Sequence, residues 1–485
     1  MFYETPRSKR NVKYHNYRNF ISKLTLEPEV YEQLKRAFAG GFTHANPFYS
    51  GETIENADSF DFTSSYPFVI CSEKFPMSSP IKVKIKNELD FRKYLKTYCC
   101  LFDVTFVNIK ATVYYENYIS LSKCRGIKSA EENNGRIVQA NELTITLTEQ
   151  DFYIIEKFYK WEKMKISNFK VFRKGYLPKD FILSVLDLYK KKTELKGIEE
   201  FIVEYMVSKN MINSAYGMMV TDICRDDIIY NGEWVNEKPD FKTALSKYNK
   251  SVKRFLYYPW GVWVTAYARK NLFTGIYEFN EDYRYSDTDS LKVVNTENHM
   301  EYINRYNEMA QLKLKKMCEY HNIDIELTRP KTKEGIVKQM GIWEYEGHYT
   351  RFKTLGAKRY MTEKLVKNKT TGKEEYLVEL TVSGVNKKKG IEYLLQEFGR
   401  EKVFDAFDDK LEIPATYLVD GVEKSATGKM THTYIDEERS GIVTDYLGNK
   451  AHYKELSGVH LENCDYRLSL SEIYIDYLLG IKEVA

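Results

Sequence analysis

The segment Tyr285-Ser286-Asp287-Thr288-Asp289-Ser290 carries two carboxylates separated by one hydroxyl residue. Tyr283-Arg284-Tyr285 leads into it and Leu291-Lys292-Val293-Val294 leads out, which predicts a β-hairpin with the acids at its turn. Aspartate is a poor strand former, and two held close together repel unless a cation lies between them. Mg²⁺ takes a few carboxylates and fills its other positions with water and substrate phosphates, so such a turn suits it. Taken alone, the same residues also describe a polar hairpin tip in water.

A second acid has a matching context. Ser59-Phe60-Asp61-Phe62-Thr63-Ser64-Ser65-Tyr66-Pro67 reads as a strand ending in a carboxylate, then a turn of hydroxyl residues closed by Tyr-Pro. A carboxylate there, followed by outward backbone N–H groups, can hold a metal and a phosphate together. The alternative is an Asp/Ser/Thr cluster capping the next helix. In a third segment Lys209, Asn213 and Tyr216 are spaced four and then three apart, on one face of a helix from about residue 198, with Gly217 as its stop. That face offers a cation for phosphates, an amide, and a flat ring for a sugar or base. The alternative is a core helix with a snorkelling lysine.

In order, the three segments resemble the polymerase signatures of family B DNA polymerases. Asp61-x-x-Ser64-Ser65-Tyr66-Pro67 is similar to D-x-x-S-L-Y-P, with Ser65 in place of Leu. Lys209-x-x-x-Asn213-Ser214-x-Tyr216-Gly217 is similar to K-x-x-x-N-S-x-Y-G, and Tyr285-x-Asp287-Thr288-Asp289-Ser290 to Y-x-D-T-D-S. Further segments resemble the protein-primed branch of bacteriophages and linear plasmids. Phe38-Ala39-Gly40-Gly41 is similar to its Y-x-G-G, Thr265-Ala266-Tyr267-Ala268-Arg269 to its T-x-x-A-R, and Lys358-Arg359-Tyr360 to its K-x-Y. The likeness runs from Phe38 to about Gly390 and fades beyond.

The resemblance implies an α+β right-hand polymerase fold: a palm with an antiparallel sheet, helical-hairpin fingers and a small thumb. It divides the chain into a segment 1–60 leading into the palm, a first palm part 61–75, and a region 76–176 of palm with room for a first terminal-protein insertion. Fingers at 177–217, a second terminal-protein-like insertion at 218–258, palm again at 259–365, and thumb with C-terminal region at 366–485 complete it. The implied reaction is templated addition of dNTPs to a primer 3′-OH by two Mg²⁺ ions, with Mn²⁺ as a substitute.

Carried over residue by residue, Asp61 and Asp289 are the metal ligands, joined by the Phe62 carbonyl, and Asp287 is a third catalytic acid. Tyr66, Lys192, Lys209, Asn213 and Tyr216 line the nucleotide, with Tyr66 excluding a 2′-hydroxyl. Gly40, Gly41, Ser64, Ser214, Gly217, Thr265, Arg269, Lys358 and Tyr360 hold DNA. Family members carry a proofreading exonuclease domain before the first signature. Only sixty residues precede Asp61 here, so a core without its own 3′–5′ proofreading is expected. Implied partners are primer-template DNA, dNTPs, a terminal priming protein, and a separate exonuclease chain. The rival readings are an idle polymerase-like scaffold binding DNA or a terminal protein, and a nuclease using the same acids.

Composition is less informative. The 485 residues hold 73 basic and 69 acidic side chains, so net charge alone does not signal nucleic acid. Basic clusters at Arg7-Ser8-Lys9-Arg10, Lys190-Lys191-Lys192 and Lys387-Lys388-Lys389 fit solvated faces as well as DNA contacts. Seven cysteines without C-x-x-C argue against a disulfide framework or zinc site. No apolar run spans a membrane and no leader precedes the chain, so a cytoplasmic location is expected, that of the host cell for a virus. Helical patterns at Pro28–Ala39, Lys179–Lys192, 198–216 and one ending at Tyr277 are expected. Strands are expected at Asp103–Tyr115 and Leu143–Leu147, with a hairpin turn at Asn368–Gly372.

Overall fold

The computed structural model describes residues 7–230, 234–368, 372–408, 411–414, 416–419, 421–425, 438–444, 450–456 and 458–460. Its larger sheet has seven strands, paired antiparallel throughout. Across it run Thr43–Ala45, Tyr283–Asp287, Ser290–Val293, Thr53–Phe62, Trp343–Gly356, Arg359–Lys367 and Glu374–Val382. The predicted acidic hairpin therefore exists, and its second strand lies beside the strand that ends in Asp61 and Phe62.

Strand alternation decides what each of those last residues does. Phe62 is buried, its ring stacked on Trp343 at 3.5 Å between centroids. Asp61, one residue earlier, points to the opposite face. The buried face is covered by Tyr258–Phe279, a helix apolar on nearly every side, with Pro at its first turn and Trp260 and Trp263 fully buried. Gly275 lets it approach closely, since a Cβ there would lie 2.9 Å from both Leu291 and Trp343. Met300–His321 packs beside it through Tyr302, Tyr306 and Leu314.

The interval from residue 76 to 176 forms a second antiparallel sheet. Its order is Ile81–Lys82, Lys163–Phe172, Cys99–Ala111, Arg136–Thr148, Cys124–Asn133, with Tyr159–Lys160 on the end of the central strand. The expected strand Leu143–Leu147 is part of Arg136–Thr148, and the expected Asp103–Tyr115 overlaps Cys99–Ala111 but overruns its end by four residues. The others were missed because their outward faces are Lys, Glu and Ser, which read as loop. Buried Phe91, Phe102, Phe152 and Phe169 form an edge-to-face cluster beneath this sheet.

The helix pair is present as Lys179–Glu194 and Ile202–Met219, the latter entered through a 3₁₀ turn. Gly217 is not its stop: the helix continues to Met219, and Gly217 has no left-handed φ. The cause is a tertiary contact. The helix end seats on Gly261, where a Cβ would lie 2.4 Å from Val220 and 2.8 Å from Met219. Packing, rather than glycine's freedom, sets that boundary.

Beyond the larger sheet, Lys387–Ala406 packs over its last strands through Met361, Leu380, Leu394, Val403 and Phe404. Residues 369–371 of the expected hairpin turn, and much of the expected thumb, lie outside the described residues. The described cysteines carry free thiols. Among the described residues no helix is long and apolar enough to cross a membrane.

Gly341 joins the Asp61 turn to this core. Its φ is +77°, its N–H donates to the Thr63 carbonyl at 2.7 Å, and a Cβ would stand 2.1 Å from the Phe68 ring. Backbone strain and overpacking both follow from any side chain. Gly341→Ala is expected to cost about 3 kcal/mol. In urea the midpoint should fall while the slope stays unchanged.

Candidate active site

Asp61 has Ser290 as its cross-strand neighbour on one side and Glu344 on the other. Asp289 occupies the adjacent turn, and its carbonyl accepts the Phe62 N–H at 2.8 Å. The turn is tight. Thr288 adopts φ +59°, its N–H donates to the Phe42 carbonyl at 2.7 Å, and the Asp289 N–H donates to the Asp287 carbonyl at 2.6 Å. Gly41 permits this approach, for a Cβ on it would meet Thr288 at 2.8 Å and the Tyr66 hydroxyl at 3.1 Å. Backbone hydrogen bonds thus bring together acids more than two hundred residues apart.

The three aspartates are not equivalent. Burial, then Asp289 and Glu346, push the Asp61 carboxyl up to about 8. Burial, then Asp287 and Glu346, push Asp289 up to about 6. Asp61 accepts no hydrogen bond from any described residue. Asp287 instead receives the Lys358 ammonium at 2.7 Å on both oxygens and the Thr43 hydroxyl at 2.9 Å. Two half-buried carboxylates driven towards neutrality by their own proximity are what a divalent cation relieves, so the pair fits such an ion. Among the described residues no group of three or more His, Cys, Asp or Glu side chains could hold a metal, so the fit rests on the pair with backbone oxygen and water.

Across from the acids stands Lys192, on the last turn of its helix. Its ammonium donates to the Ser64 hydroxyl at 3.1 Å. Burial, then Lys196 and Lys209, lower its pKa, while Asp61 and Asp289 act in the opposite sense. Lys209 therefore faces the same region, its ammonium 5.9 Å from the Tyr205 ring centroid. Ser64 sits in a left-handed conformation just before Ser65–Ser72, the short helix that presents Tyr66. The Tyr66 and Tyr216 rings lie 4.5 Å apart. Asn213, Ser214 and Gly217 are exposed along the same helix, Ser214 donating to the Asn210 carbonyl at 2.6 Å. Tyr360 is half-buried against Tyr285.

Three further charged residues line the acids and escaped sequence reasoning. Lys292 is buried, and its ammonium donates to the Ser59 hydroxyl at 2.6 Å and lies 3.7 Å from Glu346. Glu346 is the extra residue of a bulge, because Tyr345 pairs with Phe60 and Gly347 with Ser59. Glu344 accepts from the Thr63 hydroxyl at 3.2 Å and pairs with Lys338. The available signal was parity. Lys292 is two residues from Ser290, hence on the face of the strand that looks towards Asp61.

Two residues expected to hold DNA are buried. Thr265 is fully buried, its hydroxyl donating to the Val262 carbonyl at 3.1 Å. Arg269 is buried as well, paired with Asp151 at 2.6 Å and donating to Tyr118 at 3.0 Å. It also donates to the Ala39 and Gly40 carbonyls. Both side chains are committed to protein partners. Arg269 holds the Gly40–Gly41 segment in place from behind.

With this geometry in hand, comparison with known proteins gives a consistent picture. A family described as DNA polymerase type B, organellar and viral, matches residues 9–326. The DNA polymerase of Bacillus phage Nf is 26% identical over 352 residues, covering 72% of this chain and 53% of the relative. That of Bacillus phage phi29 is 25% identical over 281 residues, covering 56% and 44%. The chain spans about half the length of the curated relatives it matches. Phi29 DNA polymerase complexed with primer-template DNA superimposes with a TM-score of 0.56 at 18% identity, over 84% of this chain and 64% of that one. Its ternary complex with incoming nucleotides gives 0.55 at 19%, over 87% and 67%. At such identity the likeness is one of fold, and the expected α+β polymerase fold is present.

Two predictions follow from the charges. Asp61 and Asp289 have folded-state pKa values above the unfolded one. Their contribution to stability is therefore complete in acid and is lost as pH rises through about 6 and then about 8. In EDTA, Asp61→Asn should match wild type near pH 4 and be more stable by about 2 kcal/mol at pH 8, read by urea unfolding. Arg269→Ala should cost about 3–5 kcal/mol, since Asp151 is left buried without its cation. A phosphate-contacting arginine at the surface would instead leave the unfolding midpoint where it was.

Proposed function

The chain belongs to the organellar and viral type B DNA polymerases, and from that premise we propose that it is a template-directed DNA polymerase core adding dNTPs to a primer 3′-OH. The observation that carries the reading is the Asp61–Asp289 pair at the ends of neighbouring strands, with Lys192 opposite. Phosphoryl transfer asks little covalent chemistry of a protein, so positioning and charge neutralisation decide the rate.

Asp61 and Asp289, with the Phe62 carbonyl, are the groups suited to hold Mg²⁺, two ions in this reading and with Mn²⁺ as a substitute. Once bound, the ions acidify the primer hydroxyl and offset charge on the leaving phosphate. Lys192 and Lys209 neutralise the triphosphate from the helix pair. Tyr66, backed by Tyr216, sits under the sugar and leaves no room for a 2′-hydroxyl, so discrimination against ribonucleotides is steric. Asn213 borders the same pocket. Asp287 acts at one remove, by fixing Lys358 at the surface where primer or template phosphate passes. Gly40, Gly41, Ser64, Ser214, Gly217 and Tyr360 contribute contacts that position DNA without reading its sequence. The strands of the larger sheet up to residue 365 serve as palm, the helix pair as fingers, and the region from residue 366, which supplies the sheet's last strand, as thumb.

Two finer readings accompany this. Residues 218–258, with a hairpin of Asp227–Tyr230 and Trp234–Glu237 and the helix Phe241–Lys250, are proposed to dock a terminal protein whose hydroxyl primes synthesis. Synthesis is proposed to take place in the cytoplasm of a host cell.

Primer extension with Mg²⁺ tests the central claim. Wild type should extend a primed template, and Asp289→Asn should be slower by about 10³-fold. Equal rates for the two would end the enzyme reading. The pure chain without nucleotides should leave a labelled primer at full length.

A further inference from the structure

Beside the site lies a cavity of about 250 Å³ whose lining includes Gly40 and Gly41 but whose cations Lys123, Arg136 and Arg36 have no role assigned above. It is enclosed on one side by the last turn of helix Pro28–Ala37 and on the other by the Tyr118–Arg136 part of the smaller sheet. Its charge is lopsided. Arg36, Lys123, Arg136 and Arg269 line it, against the single carboxylate of Asp151.

Arg269 is already satisfied by Asp151. The other three are not. The Lys123 ammonium is half-buried and has no hydrogen-bond or ion-pair partner among the described residues. The Arg36 Nε is buried without a partner, although Asp103 stands near that guanidinium. Arg136 donates one N–H to the Tyr118 carbonyl at 3.0 Å and lays its plane 4.6 Å from the Phe42 ring centroid. Burial, then Arg269, lower the Lys123 pKa, which shows the cost of gathering these cations. Such a cluster in a concavity calls for an anion.

We propose that this cavity binds one phosphodiester of a single-stranded nucleic acid, with Lys123, Arg136 and Arg36 as its ligands. The strand's identity rests on the polymerase reading, because the cavity rim touches the catalytic turn: Gly41 abuts both Thr288 and the Tyr66 hydroxyl. A flexible single strand can turn a phosphate into a recess, whereas a stiff duplex presents its phosphates on convex ridges. The guanidinium groups give fork-shaped donors and the lysine a point charge, a combination suited to phosphate oxygens. Arg136 begins a strand of the smaller sheet and Lys123 ends the 3₁₀ turn Leu121–Lys123 that leads into it, so this sheet contributes directly to strand binding.

The test is fluorescence anisotropy with a labelled single-stranded oligonucleotide and the whole chain, in EDTA and without nucleotides. Lys123→Gln should weaken binding about fivefold, and Lys123→Gln with Arg136→Gln by more. The slope of log affinity against log salt should flatten by about 0.7 in the double variant, the share of one single-strand phosphate. Lys128→Gln, at an exposed lysine on the strand Cys124–Asn133 that follows Lys123, controls for general charge and should change little. Arg136 also has a structural bond, so Lys123→Gln, which breaks none, keeps the result readable should the double variant fold poorly. Wild-type affinity in Lys123→Gln, or a loss no larger than that of Lys128→Gln, overturns the proposal. So does a loss of labelled-dNTP binding by Lys123→Gln, measured in a separate titration, with strand binding intact, which would make this a nucleotide site. Because no catalysis is involved, a Lys123 effect in a chain that fails to extend primers would sink the polymerase reading and leave the cavity standing.

Discussion

Two carboxylates of like charge held side by side, half out of water, are the constraint around which the rest of this chain is arranged. Left alone, Asp61 and Asp289 would separate or take up protons. They are kept together by bonds that carry no charge of their own. The Phe62 N–H is fixed to the Asp289 carbonyl, the Thr288 N–H to Phe42, and Gly341 to Thr63. Each bond lies at a point where a side chain would intrude, which is why Gly41 and Gly341 flank the arrangement.

The surrounding charges are graded rather than uniform. Lys358 satisfies Asp287 at the surface, buried Lys292 reaches out to the exposed carboxylate of Glu346 behind Asp61, and Lys192 approaches from the helix pair. Among the described acids of the site, Asp61 and Asp289 have no ion-pair partner. A site of this kind is strained without a ligand and relaxed with one, so affinity for cations is built from repulsion as much as from attraction.

Legibility in the sequence followed locality. The acidic hairpin, the strand before Asp61 and the helix pair were readable because period and turn chemistry are local properties. The family signatures supplied which acids matter, and the register of Ser290 with Asp61 brought them together. What escaped depended on distant neighbours. Lys292 and Glu346 became site residues only through strand parity and a bulge, and the smaller sheet hid behind polar outward faces. Thr265 and Arg269 were expected to hold DNA, yet Thr265 bonds within its own helix and Arg269 is held by Tyr118, Gly40 and Asp151 from three other segments. The helix ran past Gly217 because Gly261 offered a seat beyond it.

That seat has a mechanical meaning. Where Met219 and Val220 press directly onto the backbone at Gly261, no side chain is available to slide, and the contact acts as a fulcrum. The helix Ile202–Met219 is then a stiff arm of 18 residues rooted at one end. At ~1.5 Å per residue, Lys209 sits roughly 15 Å along it, so a tilt of about ten degrees would sweep that residue through roughly 2.6 Å. A small rotation at a buried glycine thus moves Lys209 by about the length of a hydrogen bond.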